Sequence, residues 1–150
     1  MNTAIKTLET LTDTAIDSVR GYELVAERAD NPAVKTAFRD RAQNRRETVA
    51  KLNDELVRVG GEARTEGTVT GDLHRIWTKL TDRLFDSNKA ATDNAEEGED
   101  YIRKKFEAVI DGGLLKDEPK TLMVIENALT EIRAGERITD MFEERYEEAA

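Results

Sequence analysis

The chain has 150 residues, 38% of them hydrophobic and 37% charged, with a net charge of −9. This length suits one hydrophobic core, and the acidic balance disfavours a phosphate backbone as partner, so no nucleic acid is expected. Cysteine is absent, which excludes disulfides, thiolate metal sites and thiol nucleophiles; with no signal-peptide pattern over Met1 to Leu11 and no apolar stretch of membrane-span length, the expected setting is cytoplasmic.

Helix A is expected over about residues 3–29. Ile5, Leu8, Ala15, Val19, Tyr22 and Ala26 recur at three- and four-residue steps, the mark of one buried face. Asp30-Asn31-Pro32 breaks it, with Asn31 as N-cap and Pro32 at a first helical position. Helix B follows over about 32–59, with Val34, Phe38, Ala42, Val49, Leu52, Leu56 and Val59 on one face, and Gly60-Gly61 ends it. Residues 62–71 read as a polar loop. A short helix over about 72–84 carries the only histidine and the only tryptophan, His74 and Trp77, with Arg75 between them. Helix C spans about 89–110, with Ala91, Ala95, Gly98, Ile102, Phe106 and Val109 inward, and stops at Asp111-Gly112-Gly113. Helix D covers about 118–147, with Leu122, Ile125, Leu129, Ile132, Phe142 and Tyr146 inward.

Two helical hairpins, A/B and C/D, are therefore joined by a connection of about 25 residues. Short loops make antiparallel neighbours, whereas a long crossover lets B and C run parallel, the ferritin-like variant of the four-helix bundle. The predicted class is all-α: a single ferritin-like four-helix-bundle domain over 1–150 with an additional short helix in the B–C crossover. Such a helix of about 13 residues rises about 20 Å, most of the return path.

Bundles of this kind hold paired metals with one Glu from each of two helices and Glu-x-x-His from each of the other two. Helices B and D contain no histidine, so that set cannot form. Glu23, Glu96, Glu99, Glu131 and Glu136 lie on or near the apolar stripes and could make only a carboxylate site, with Glu23 and Glu99 its candidate ligands. Counting along the helices at 1.5 Å per residue puts Arg45 and Glu99 at one level and Glu23 about 9 Å away. An inward arginine also repels a cation, so a buried polar layer built on an Arg45–Glu99 ion pair is the favoured reading. The expected cofactor is none, the alternative being an iron or manganese pair. The basic run Arg39, Arg41, Arg45, Arg46 reads as a solvated or internally paired face. His74 and Trp77 share a helical face and read as a docking face, with His74 and Arg75 held by Glu99 or Asp100. Gly98 and Gly135, costly inside helices, read as close helix approaches or as room for a ring, with Trp77 docking near Gly98. No catalytic triad or phosphate-binding glycine loop is present, and no catalytic residue is assigned.

Gly21-Tyr22-Glu23, the Asn31-Pro32 turn, Arg45 seven residues before Leu52, Gly60-Gly61, His74-Arg75-x-Trp77 and Gly98-Glu99-Asp100 together resemble a family of bacterial "four-helix-bundle proteins", a ferritin-like domain of unknown function distantly related to ferritins and rubrerythrins. The resemblance covers about residues 3–112 and is weaker in helix D. It implies a ferritin-like fold and a bacterial cytosolic, stress-associated setting, and it supplies no activity. The chain departs from ferritins and rubrerythrins at the Glu-x-x-His positions. The expected function is that of a non-enzymatic accessory protein acting through a protein partner or as a homo-oligomer; the alternative is a carboxylate-rich metal protein with oxidase or metal-handling activity.

Overall fold

The computed structural model describes residues 2–67 and 88–149, with side chains over 3–27, 29–67 and 95–141. Four helices, and no strand, occur among the described residues: α1 (Asn2–Arg28), α2 (Pro32–Arg58), α3 (Asn88–Asp111) and α4 (Pro119–Ala149). The expected crossover helix, with His74, Arg75 and Trp77, lies outside the described residues.

Local chemistry sets the turns. The Asn31 side chain accepts from the amide of Ala33 at 2.8 Å and of Val34 at 3.4 Å, satisfying two donors that a helix start leaves open. Pro32 follows at the first turn, where its missing N–H costs nothing. Gly60 (φ 100°) and Gly113 (φ 68°) supply the left-handed conformations that end α2 and the α3 region.

Cross-helix contacts give the directions. Arg45 meets Glu131 while Glu55 meets Thr121, so α2 and α4 run antiparallel. Arg103 meets Glu136 while Arg133 meets Glu107, so α3 and α4 also run antiparallel. With α1 and α2 joined by a tight turn, α2 and α3 must point the same way. Residues 59–88 therefore connect two helices that point the same way. α1 packs on α2 and α3, and α4 packs on α3 and α2.

The described part of this connection, residues 59–67, packs on α1 and α2. Asn53 takes the Arg64 amide at 2.7 Å on its Oδ1 and donates to the Arg64 carbonyl at 2.9 Å. The Arg64 guanidinium donates twice to Asp13, at 3.0 Å each. Gly67 (φ 73°) lies so close to α1 that a Cβ there would overlap the Asp17 carboxylate. This strand of connection covers the outward side of α1, and every residue from Leu11 to Val19 is buried.

The core has two apolar clusters. One joins Leu8, Leu11, Leu52, Leu56, Ile102, Phe106, Ile125 and Ile132. The other joins Tyr22, Val25, Val34, Phe38, Ala42 and Ala95. They sit at different heights in the bundle, and the residues between them are polar.

At the lower end of the larger cluster, Glu55 is buried on α2. It accepts two bonds from Arg58 and one from the Thr121 hydroxyl, each at 2.6 Å. The Arg58 bonds, aided by Thr121 and opposed by burial, hold its pKa below the usual carboxylate value. A depressed acid contributes its stability above the unfolded-state pKa of about 4.3, and loses it as pH falls through the lower folded value. We expect acid unfolding of the protein to steepen below about pH 4.3, and Glu55→Gln to flatten that dependence while lowering stability at neutral pH, both read by circular dichroism against pH.

Candidate functional site

Between the two apolar clusters lies a charged layer built from all four helices. Ser18 and Tyr22 come from α1, Arg41 and Arg45 from α2, Glu99 from α3, and Glu131 and Gly135 from α4. Three of these helices contribute residues four apart, the spacing that stacks two side chains on one helical face. Arg45 is fully buried at the centre. Its Nη2 donates to Glu99 Oε2 at 2.7 Å, its Nε to Glu131 Oε2 at 2.8 Å, and its Nη1 to Ser18 Oγ at 2.8 Å. The Ser18 hydroxyl in turn donates to the Ala15 carbonyl at 2.7 Å. Arg41 Nη2 donates to Glu131 Oε1 at 2.6 Å. Glu131 thus bridges both guanidiniums, and two cations are balanced by two carboxylates.

Tyr22 is the aromatic wall of the layer. The guanidinium carbons of Arg41 and Arg45 lie 5.9 and 5.7 Å from its ring centroid, within cation–π range. Phe38 stacks against Tyr22 at 5.6 Å. Burial, and then the Glu99 charge, push the Tyr22 phenol well above its ordinary pKa, so it stays neutral. Burial alone would pull Arg45 down, but Glu99, Tyr22 and Glu131 outweigh it and raise its pKa. Tyr22 therefore stays neutral and Arg45 charged across physiological pH.

Gly135 makes the layer possible. A Cβ there would overlap both Arg41 Nη2 and Glu99 Oε2. The glycine gives room to charged side chains.

A family model described as a domain of unknown function (DUF2383) matches residues 3–112. The chain belongs to this family. No curated protein and no solved structure matches it. The part matched to the DUF2383 family contains Ser18, Tyr22, Arg41, Arg45 and Glu99, and stops short of Glu131 and Gly135.

The other sequence candidates fall elsewhere. Glu23 is half-exposed on the outer face, 3.0 Å from Arg46, and takes no part in the layer. Glu136 pairs with Arg103 at 2.7 Å; its burial lifts its pKa against the pull of Arg103. Asp100 meets Arg103 and, at 2.8 Å, Lys104. Glu96 is half-buried. His74, Arg75 and Trp77 lie outside the described residues. The basic run divides: Arg39 and Arg46 are exposed, whereas Arg41 and Arg45 face inward. Arg41, Ser18 and Tyr22 are layer residues that sequence reasoning did not assign. Arg41 carries a usable signal, since it stands three residues after Phe38 and four before Arg45.

No group of three or more His, Asp or Glu side chains with metal-holding geometry occurs among the described residues. The inward carboxylates, Glu99 and Glu131, have guanidiniums where a di-metal site would need cations. This donor set does not fit a resident iron or manganese pair, because a dication there would sit against Arg41 and Arg45.

Breaking one side of a buried pair leaves an uncompensated charge, at a cost of about 3–5 kcal/mol. We expect Arg45→Met to be destabilising on that scale, and Arg45→Met with Glu99→Leu to recover a substantial part of the loss. The check is a double-mutant cycle by urea denaturation, in which additive losses would mean that the two residues do not interact.

Gly135→Ala offers an opposed pair of effects. Helix propensity favours alanine by about 1 kcal/mol, while overpacking typically costs about 1–3 kcal/mol. Because the displaced atoms are the ends of a charged pair, the clash should win, and the variant should melt below the parent in a thermal scan.

Proposed function

We propose that this chain is a non-enzymatic, ferritin-like bundle, cytoplasmic in a bacterium and stress-associated, which acts through protein contacts and self-association. The observation that carries this reading is the burial of Arg45 between Glu99 and Glu131. The parallel directions of α2 and α3 support the ferritin-like reading, and the ion pairs in the middle of the bundle support a role without a resident metal. Among the described residues, no helix is long and apolar enough to cross a membrane.

Self-association is supported by three exposed apolar side chains at one end of the bundle. Val57, Leu114 and Met123 are 56%, 63% and 61% exposed where α2 and α3 finish and α4 begins. Exposed apolar side chains of this size are what an association surface is built from.

Two measurements test the reading together. Protein purified without chelator should contain well under one iron or manganese per chain. A reproducible pair of metals per chain, lost on Glu99→Ala, would establish the metal-handling alternative. In sedimentation velocity the parent should run as an oligomer, and Val57→Lys with Met123→Lys should shift it to monomer. A parent that stays monomeric at high concentration would remove self-association.

A further inference from the structure

A groove of about 430 Å³ runs between α2 and α4. Small-ligand sites span about 300–1,000 Å³. Its origin is in the sequence. The seam is pinned at one end by Arg45–Glu131 and at the other by Thr121–Glu55. These pins are ten residues apart along α2, about 15 Å at the helical rise. Between them the facing side chains are small: Thr48 on α2 and Val124 and Ala128 on α4. Short side chains between two fixed points leave a slot.

The slot has a distinct chemistry. Val124 and Ala128 give its floor apolar surface, beside Thr48. Thr48 is only 5% exposed. Glu131, 20% exposed, is the point at which the charged layer reaches solvent, since Arg45 and Glu99 are both sealed. Of the carboxylates along the groove, Glu131 and Glu55 are already matched by arginines. Glu47 and Asp54 form no ion pair among the described residues, and both are exposed. They stand seven residues apart on one face of α2, about 10 Å. Lys51, between them on a flexible stem, is likewise unpaired among the described residues and offsets only one of the two charges. The Asn44 and Asn127 amides complete the rim.

We propose that this groove binds a small linear diammonium ligand, with its methylene body on Thr48, Val124 and Ala128 and its ammonium ends at Glu47 and Asp54. The separation of the two free carboxylates matches an extended chain of about eight carbons between nitrogens. The floor excludes water from the methylenes, which is the favourable term. The unmatched rim carboxylates select cations over neutral or anionic chains of the same length. Lys51 competes with the ligand for both carboxylates and holds affinity down.

The test is calorimetric titration of the whole protein with the straight-chain eight-carbon diamine, using the eight-carbon diol as neutral control. Saturable binding at one site per chain is expected, at least tenfold tighter than for the diol. Glu47→Gln with Asp54→Asn should weaken it at least tenfold, and Lys51→Met should tighten it. Asn127→Trp, which lays a ring across the slot, should abolish it. All four positions are exposed, so the variants should keep the parent circular dichroism spectrum. No saturable binding would overturn the proposal. So would equal affinity in all variants, the signature of general counterion attraction to an acidic surface, or a diol that binds as well as the diamine.

Discussion

The bundle is organised around one buried guanidinium. Arg45 has no route to water, so its charge must be met inside, and three helices other than its own supply the groups that meet it. Everything at that height follows from this demand. Glu131 is shared with Arg41, Tyr22 presents a ring face to both cations, and α4 carries a glycine where any side chain would intrude. Such a layer is weak evidence for stability, because desolvating two ion pairs consumes most of what their attraction returns. Its physical effect is on alternatives. An apolar bundle can slide by a helical turn at small cost, whereas sliding this one would drive a charge into an apolar cluster above or below. The layer therefore fixes the register of all four helices at once.

Much of this was legible in the residues, for a definable reason. Apolar residues at three- and four-residue steps mark a buried helical face whatever they pack against, so four helices and an all-α class could be read directly. Arg45 and Glu99 could be singled out because both stand on those stripes at comparable depth. Arg41 was hidden by composition: in a run with Arg39 and Arg46 it resembles a solvated face, although its phase with Phe38 and Arg45 points inward. Glu23 was misplaced for the converse reason, since it adjoins Tyr22 in sequence but lies about 100° away on the helix. Gly135 could be recognised as a costly residue, but whether it made room for a backbone, a ring or an ion pair depends on three other helices. The partnership of Arg64 with Asp13, across 51 residues of chain, leaves no local trace at all.

Membership of a family with no assigned activity places the weight of the functional argument on the geometry. The middle of the bundle holds matched charges, two guanidiniums against two carboxylates. The seams and ends of the bundle add surface: an apolar end beyond α2, and a slot along α2 and α4 kept open by the same Arg45–Glu131 contact that closes the core. Interior and groove are thus two sides of one arrangement, with Glu131 belonging to both.

The burial of α1 from Leu11 to Val19 bears on how the chain reaches this state. Most helices of a four-helix bundle keep a solvent face, and a hairpin such as α1–α2 can form early from contacts close in sequence. The middle of α1 is different. Asp13 and the residues around it are enclosed only when the stretch at Arg64 to Gly67 has been laid across them, and that placement closes a loop of about 50 residues, an entropic cost that grows with loop length. The assembly of α1 is therefore tied to the routing of the chain toward α3. The stretch from Arg64 to Gly67 thus forms part of the wall around a helix that lies some 50 residues before it in the chain.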